Sequence, residues 1–160
     1  MAERPRVVLD CVILLQAAAR RKSAAASCLA LAESGRIEIF VSEETLAEIK
    51  DVLDRPEVRA QFADLNDEIV GAFLKRINMI ATFVDDVPDR FDYPRDEDDE
   101  PYVNLAIAAA ADYLITRDND LLDLMTGHTD ECKEFRQRFR TLRVLTPEEF
   151  LIEPDVRIGY

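Results

Sequence analysis

The sequence predicts an α/β protein with three layers, in which helices cover both faces of a central parallel sheet of five strands. Three observations support this prediction. Short apolar runs alternate five times with longer helical patterns, no internal repeat is present, and 160 residues is the length of one ordinary domain. Alternation of this kind implies parallel pairing with right-handed crossovers. We therefore expect residues 1–160 to form a single domain.

The first part of the chain contains two predicted strands. Residues Arg6 to Asp10 (RVVLD) form an apolar run that ends in an acid, which is typical of an interior strand of a parallel sheet. The alanine- and leucine-rich stretch from Val12 to Glu33 predicts helix, interrupted near residues 21–23 and ended by Gly35. Residues Ile37 to Val41 are then the second strand.

The third strand follows a series of helices. Ser42 is a favourable N-cap, and the two glutamates after it suit the first turn of a helix. This helix should end before Pro56, which opens a short helical segment to residue 62. A longer helix begins at Asn66 and leads to the strand at residues 81–84.

Two further strands are predicted in the second half. Pro101 fits the first turn of a helix that continues through NLAIAAAA, and the apolar strand Asp112 to Thr116 follows it. A short helix over residues 119–125 and a polar stretch precede the last strand, Arg143 to Leu145. The sequence TPEEF, which starts at Thr146, has the pattern of a capping box and predicts a final helix.

Composition excludes several classes of protein. The chain is 48% apolar and 33% charged, which excludes a disordered, collagenous or disulfide-stapled protein. No run approaches the ~18 apolar residues of a membrane span, and the start lacks a secretory signal, so we expect a cytoplasmic protein without a membrane partner. The three cysteines (Cys11, Cys28, Cys132) follow no metal-binding spacing and are expected to be reduced thiols.

The negative charge is concentrated in one segment. The net charge is −13, which argues against general adhesion to polyanions. Residues 85–100 contain nine acids and two arginines. A solvated loop is the ordinary interpretation of such a run. Its position relative to other acids in the sequence decides whether it has a further role.

Four acids are predicted to meet at one edge of the sheet. Asp10 ends the first strand, Asp99 opens the helix after the third, and Asp118 follows the fourth. Glu48 lies in the helix after the second strand, at the border of its buried stripe, whereas Glu44 points nearly opposite. Ligands of such sheets bind at the carboxyl ends of the strands. Carboxylates gathered there repel one another unless a cation is bound, and oxygen ligands indicate Mg²⁺ or Mn²⁺.

Each acid also has an ordinary explanation. Asp10, Asp99 and Asp118 suit helix caps or turns, and Glu48 suits a solvated helix face. One acid in each of four successive βα units is harder to obtain from capping alone, and it favours the metal cluster. The single histidine, His128, lies in a polar stretch and is expected at the surface. Because there is only one histidine and no phosphate-binding glycine motif, a water activated by the metal ion is the chemistry that remains.

Four segments carry a resemblance to a known family. They are RVVLDCVILLQA, VSEETLAEIKDVL, RDEDDEPYVNLAIAAAADYLITRDNDLL and LTPEEFL. In this order, over residues 6–151, they resemble PIN-domain proteins, specifically the VapC-like toxins of bacterial toxin–antitoxin modules. The resemblance implies a PIN-like sheet of order 3-2-1-4-5 and an endoribonuclease that uses Mg²⁺ or Mn²⁺. It also implies an RNA substrate, a cognate antitoxin and a homodimer.

The resemblance also assigns roles to particular residues. The metal-binding acids of the family fall on Asp10, Glu48, Asp99 and Asp118. Asp120 is a further contributor, and Asp96 and Asp98 are the alternatives if the register of the acidic loop differs. Thr116 matches the small hydroxyl residue that often precedes the last acid of the family, and would support an acid or contact phosphate.

One departure from the family bears on activity. After the first Asp the family usually has Thr or Ser followed by Asn, whereas this chain has Cys11 and Val12. Loss of a polar partner of a metal ligand weakens affinity or activity about 10–100-fold. The alternative function is therefore a catalytically weakened PIN-like module that binds protein. A phosphohydrolase with an aspartate nucleophile is disfavoured, because that chemistry needs a second Asp where Val12 stands.

A basic stretch near the end of the chain is the candidate contact surface for RNA or an antitoxin. It contains Lys133, Arg136, Arg138, Arg140 and Arg143. Arginines could follow a phosphate backbone or pair with the carboxylates of an antitoxin, and a solvated helix face is the alternative.

Overall fold

The computed structural model describes residues 3–93, 95 and 97–157. These residues form five strands, ten α-helices and one 3₁₀ turn at Glu97–Asp99. The strands are β1 (Arg6–Leu9), β2 (Glu38–Ser42), β3 (Thr82–Val84), β4 (Tyr113–Ile115) and β5 (Arg143–Leu145). The helices are α1 (Cys11–Ala19), α2 (Ala24–Glu33), α3 (Glu43–Asp54), α4 (Pro56–Gln61), α5 (Asp67–Ile80), α6 (Glu100–Ala108), α7 (Asn119–Thr126), α8 (Asp130–Arg138), α9 (Pro147–Leu151) and α10 (Pro154–Arg157).

The five strands form one parallel sheet in the order β3-β2-β1-β4-β5. This confirms the predicted fold class and strand order. Leu9 of β1 lies opposite Ile115 of β4, and Ile115 lies opposite Leu145 of β5. The chain order therefore reverses between β1 and β4, and their carboxyl ends meet where ligands of open α/β sheets bind.

Side-chain caps fix the starts of several helices. The predicted break in the first helical stretch is confirmed, because α2 begins afresh at the Ser23 cap, whose hydroxyl accepts from the Ala26 amide. Ser42 and Thr45 form a reciprocal capping box at the start of α3. Ser42 also belongs to β2, so the strand passes into the helix without a loop.

Helix α8 differs from the sequence prediction, which had only a polar stretch at this position. Two of its residues, Cys132 and Phe135, are buried, and the rest of the helix is polar. Two apolar residues three positions apart give a weak periodic signal, so the helix was hard to recognise. The Thr129 hydroxyl caps its first turn by accepting from the Cys132 amide.

The core lies around the two central strands. Val7 and Val8 of β1 and Leu114 of β4 are fully buried, as expected for strands covered on both faces. Helix α6 packs against β1, β2 and β4, and it therefore lies directly behind the switch point. All three cysteines are buried and free. Within the described residues, no helix has the length and apolarity needed to cross a bilayer.

Candidate functional site

Asp10 is the residue that follows β1 at the carboxyl edge of the sheet. Its backbone amide donates to the carbonyl of Ile115 at 3.1 Å, which places it beside the end of β4. Its carboxylate Oδ1 accepts from the Ile13 amide at 3.0 Å and so caps α1. The predicted capping role is therefore present. Asp10 is only 4% exposed, which is unusual for an acid that serves as a cap alone.

Thr116 joins Asp10 to Asp118. Its hydroxyl donates to Oδ2 of Asp10 and accepts from the Asp118 amide at 2.9 Å. The residue is fully buried, and its own amide donates to the Leu145 carbonyl at 2.9 Å. Both central strands thus contribute to one rigid hydrogen-bonded chain, Asp10–Thr116–Asp118.

The charge of Asp10 is only partly compensated. The pKa of Asp10 is raised to about 6: burial is the main cause and the negative charge of Asp118 adds to it, while the hydrogen bonds from Thr116 and Ile13 act in the opposite direction. Asp118 itself is half-buried, and its Oδ1 accepts from the Asp120 amide at 2.8 Å at the start of α7. Two interacting carboxylates at the switch point therefore form the core of the candidate site.

Glu48 lies beside the first residue of α1. It is half-buried on α3. The pKa of the Cys11 thiol is raised to about 12, mainly because the thiol is buried, and the negative charge of Glu48 contributes to this rise. Tyr102, near the start of α6, is 2% exposed and lies against the same thiol. Burial raises the pKa of Tyr102, and the side chains of Cys11, Glu48 and Asp10 raise it further. Glu48 therefore shares its surroundings with Asp10 through Cys11 and Tyr102.

Asp99 is placed at the start of α6. It ends the 3₁₀ turn and is half-buried, and its side chain does not cap the helix. Helix α6 packs against β1 and α3, the elements that lead to Asp10 and carry Glu48. Asp98 is exposed, and the other alternative in the acidic loop, Asp96, lies outside the described residues.

Asp120 is held by an arginine. Its Oδ1 lies 2.5 Å from Nε of Arg95, and the same guanidinium reaches Asp123 at 2.7 Å. The Tyr93 hydroxyl donates to the backbone carbonyl of Asp120. In this conformation the Asp120 carboxylate compensates a cation of the acidic loop, so it contributes less negative charge to the site than Asp10 or Asp118.

The carboxylates of the candidate site have the chemistry that a hard divalent cation requires, but their side chains are not arranged around a common metal position. Asp10, Glu48, Asp99 and Asp118 offer carboxylate oxygens, which Mg²⁺ and Mn²⁺ prefer. Burial is the main cause of the raised pKa of Asp10 and the charge of Asp118 a smaller one, and a bound cation would stabilise the ionised form of Asp10 against both. Across residues 3–93, 95 and 97–157, however, no group of three His, Cys, Asp or Glu side chains is arranged to hold a metal. The four-acid metal cluster stays a prediction.

The basic stretch is largely engaged in contacts within the fold. Arg136 donates to the backbone carbonyls of Leu124 and Gly127, at 2.9 and 2.8 Å, and so closes the end of α7. Arg138 donates to the carbonyl of Arg90 at 3.0 Å. Arg138 and Arg140 line a cavity of about 330 Å³ formed by segments that precede β4 and β5. This cavity is at the amino edge of the sheet, opposite the acids.

Sequence reasoning missed Tyr102 and Asn104 as residues of the site region. Tyr102 follows Asp99 by three positions, and side chains at this spacing share a helix face. The hydroxyl in an otherwise apolar segment was the available signal. Asn104 is 2% exposed, and its Oδ1 accepts from the amides of Arg90 and Phe91, both at 2.9 Å. A buried amide in an apolar helix is itself a sign of a specific partner.

The fold and these residues define a parallel α/β protein with interacting carboxylates at its topological switch point. Residues 6–120, which are 115 of the 160, match the family model of the PIN domain. The chain therefore belongs to the PIN-domain family, whose members are generally nucleases and typically use divalent metal ions. No curated protein matches the chain.

Proposed function

We propose that this PIN-domain protein is a divalent-metal-dependent endoribonuclease, the toxin component of a bacterial toxin–antitoxin module. The observation that supports it best is the hydrogen-bonded chain Asp10–Thr116–Asp118 at the carboxyl ends of β1 and β4. A buried carboxylate with a raised pKa at a switch point is typical of a functional site. An antitoxin and a homodimer are the partners that the toxin assignment implies.

Asp10, Asp99 and Asp118 are the proposed direct ligands of Mg²⁺ or Mn²⁺, and Glu48 is proposed as a further ligand or as the group that orients water. When bound, such a cation activates water and stabilises the charge that develops on a phosphodiester. Thr116 fixes the orientation of Asp10, because its hydroxyl donates to one carboxylate oxygen while the Ile13 amide holds the other. Both oxygens keep lone pairs that face away from these donors.

The substrate is a polyanion, and the chain is acidic, so local positive charge is needed. Arg117 lies between Thr116 and Asp118, with its guanidinium held by two 2.6 Å contacts to Glu148. Arg138 and Arg140 of the basic stretch are exposed and are the proposed contacts to RNA or antitoxin, whereas Arg136 has a structural role. Because both lie at the amino edge of the sheet, they would contact a part of the partner that is distant from the acids.

A weakened module that binds protein is the second candidate. Two observations favour it: the absence, within the described residues, of a formed three-ligand group, and Cys11 after Asp10 at the position where the family usually has Thr or Ser. Such a module would retain the fold and lack cleavage.

An RNA digest separates the two functions. Wild-type protein should cleave a mixture of structured RNAs with Mn²⁺ and lose this activity in EDTA. Asp10→Asn should lower the rate by at least about 100-fold, because it removes a charged ligand while keeping the shape of the side chain. Glu44→Gln, an exposed acid one turn before Glu48, is the matched control and should cleave normally. Cleavage that survives in Asp10→Asn, or in EDTA, would contradict the proposal.

A further inference from the structure

The Tyr102 hydroxyl is a buried polar group that lies against the Cys11 thiol and makes no hydrogen bond to an oxygen or nitrogen of the described residues. The residue is 2% exposed. Leaving such a group unpaired destabilises the folded state. A phenylalanine would fill the same space without this cost. The hydroxyl therefore calls for an explanation beyond packing of the ring.

The surroundings of this hydroxyl are the side chains of the candidate site. Cys11, Glu48 and Asp10 are the groups whose charges act on it, and the Cys11 thiol lies against it. Glu48 is half-buried on α3, which packs against α6, the helix that carries Tyr102. Asp10 accepts from Thr116 and from a helix amide, whereas the hydrogen bond of the Glu48 carboxylate is with the Cys11 thiol, a weak donor.

We propose that Tyr102 is a positioning residue whose hydroxyl donates a hydrogen bond to the Glu48 carboxylate and holds it toward Asp10 when the site is occupied. A phenol is a donor of one hydrogen bond, and a carboxylate accepts several. Hydrogen bonds of this kind, from a neutral donor to an ionised acceptor, are strong and directional. The inference rests on the proposed function, since it assigns Glu48 a role in that site.

Apart from its hydrogen bond with the Cys11 thiol, the Glu48 carboxylate has no side-chain or backbone partner among the described residues. Glu48 lies on the border of the buried face of α3, so its side chain can extend to solvent or turn inward. Asp10 by contrast is fixed by two donors. Tyr102 would supply for Glu48 the restraint that Thr116 supplies for Asp10, and loss of such a partner typically costs about 10–100-fold in metal affinity or activity.

The test compares wild type, Tyr102→Phe, Glu48→Gln and the double variant by single-turnover RNA cleavage and by calorimetric titration with Mn²⁺. Tyr102→Phe should lower the cleavage rate or the Mn²⁺ affinity about 10-fold or more, with KM for RNA changed less than about 2-fold. In the Glu48→Gln background the same substitution should change either quantity less than about 3-fold. The melting temperature should stay the same or rise, since an unpaired hydroxyl is removed.

Tyr113→Phe is the matched control. Tyr113 is also buried, at 4% exposure, but its phenol is near Arg143 and Glu153, at the amino edge of β4. The Tyr113→Phe substitution should leave RNA cleavage and Mn²⁺ binding unchanged. An equal loss from Tyr102→Phe in both backgrounds, no loss in either, or a clearly lowered melting temperature would overturn the inference. Wild-type protein that neither cleaves nor binds Mn²⁺ would refute the proposed function and this inference together, whereas an active wild type with an unaffected Tyr102→Phe would refute the inference alone.

Discussion

The Asp10 carboxylate is almost wholly buried, and its hydrogen bonds from Thr116 and Ile13 do not fully offset the cost of burying its charge. A buried carboxylate with a raised pKa at a switch point is typical of functional sites, which is the basis for the role proposed for Asp10. The same residue also caps α1. Capping and ligand binding are therefore compatible in one carboxylate, because each of its oxygens accepts more than one contact.

The raised pKa of Asp10 predicts a pH-dependent stability difference between wild type and Asp10→Asn. The folded protein holds this proton more tightly than the unfolded chain does, so stability from this group is lost as the pH rises from about 4 through about 6. A rise of the Asp10 pKa from 3.8 to about 6 corresponds to roughly 3 kcal/mol of unfolding free energy. The measurement is denaturant unfolding in EDTA at several pH values. Above pH 6, the free energy of unfolding of Asp10→Asn should exceed that of wild type by up to this amount.

The exposed loop acid Asp64 provides the control for this titration. Asp64→Asn should show no comparable gain over the same pH range, since its side chain is exposed in both states. If the free energies of unfolding of Asp10→Asn and wild type differed by the same amount from pH 4 to 7, burial would not raise the pKa of Asp10.

At the scale of elements, the acidic loop is attached to the domain at defined points. Asn104 of α6 accepts from the amides of Arg90 and Phe91 and donates to the Phe91 carbonyl at 3.3 Å. Arg95 joins the loop to Asp120 and Asp123 of α7. The loop is therefore positioned beside α6 and α7, and it delivers Asp99 to the start of α6. A freely solvated acidic run would have no such anchors.

Asn104→Ala should release this loop. Two amide donors, of Phe91 (buried) and Arg90 (partly buried), lose their acceptor, and since each unsatisfied buried donor costs about 1–3 kcal/mol, we expect a loss of about 2–6 kcal/mol in unfolding free energy. Hydrogen exchange at the Arg90 and Phe91 amides should accelerate more than exchange in β1 or β4. Asn78→Ala, at an exposed position of α5, should change neither quantity. Unchanged protection at Arg90 and Phe91 would show that Asn104 does not hold the loop.

At the scale of the whole molecule, alternation of strands and helices was enough to predict the sheet and its covering helices. The strand order came from the resemblance to a family, and it is confirmed. Helix α8 was not predicted, because Cys132 and Phe135 alone form its buried face. For the site, the sequence predicted only that several acids lie at the carboxyl edge of the sheet. The resemblance named Thr116 as a support for an acid, and its hydroxyl does donate to Asp10. That Asp10 is the acid concerned, and that the Tyr102 hydroxyl lies near it, depend on side-chain directions across three elements, which a linear pattern does not contain.

The central claim is that acids distant in the chain come together around a divalent cation, and anomalous diffraction from a crystal soaked in Mn²⁺ tests it most directly. The account predicts a manganese peak within coordinating distance of Asp10 and Asp118, with Glu48 or Asp99 turned toward it. The peak should vanish in crystals of Asp10→Asn. Wild-type crystals with no peak at the carboxyl ends of β1 and β4, at a Mn²⁺ concentration that supports RNA cleavage, would contradict the account.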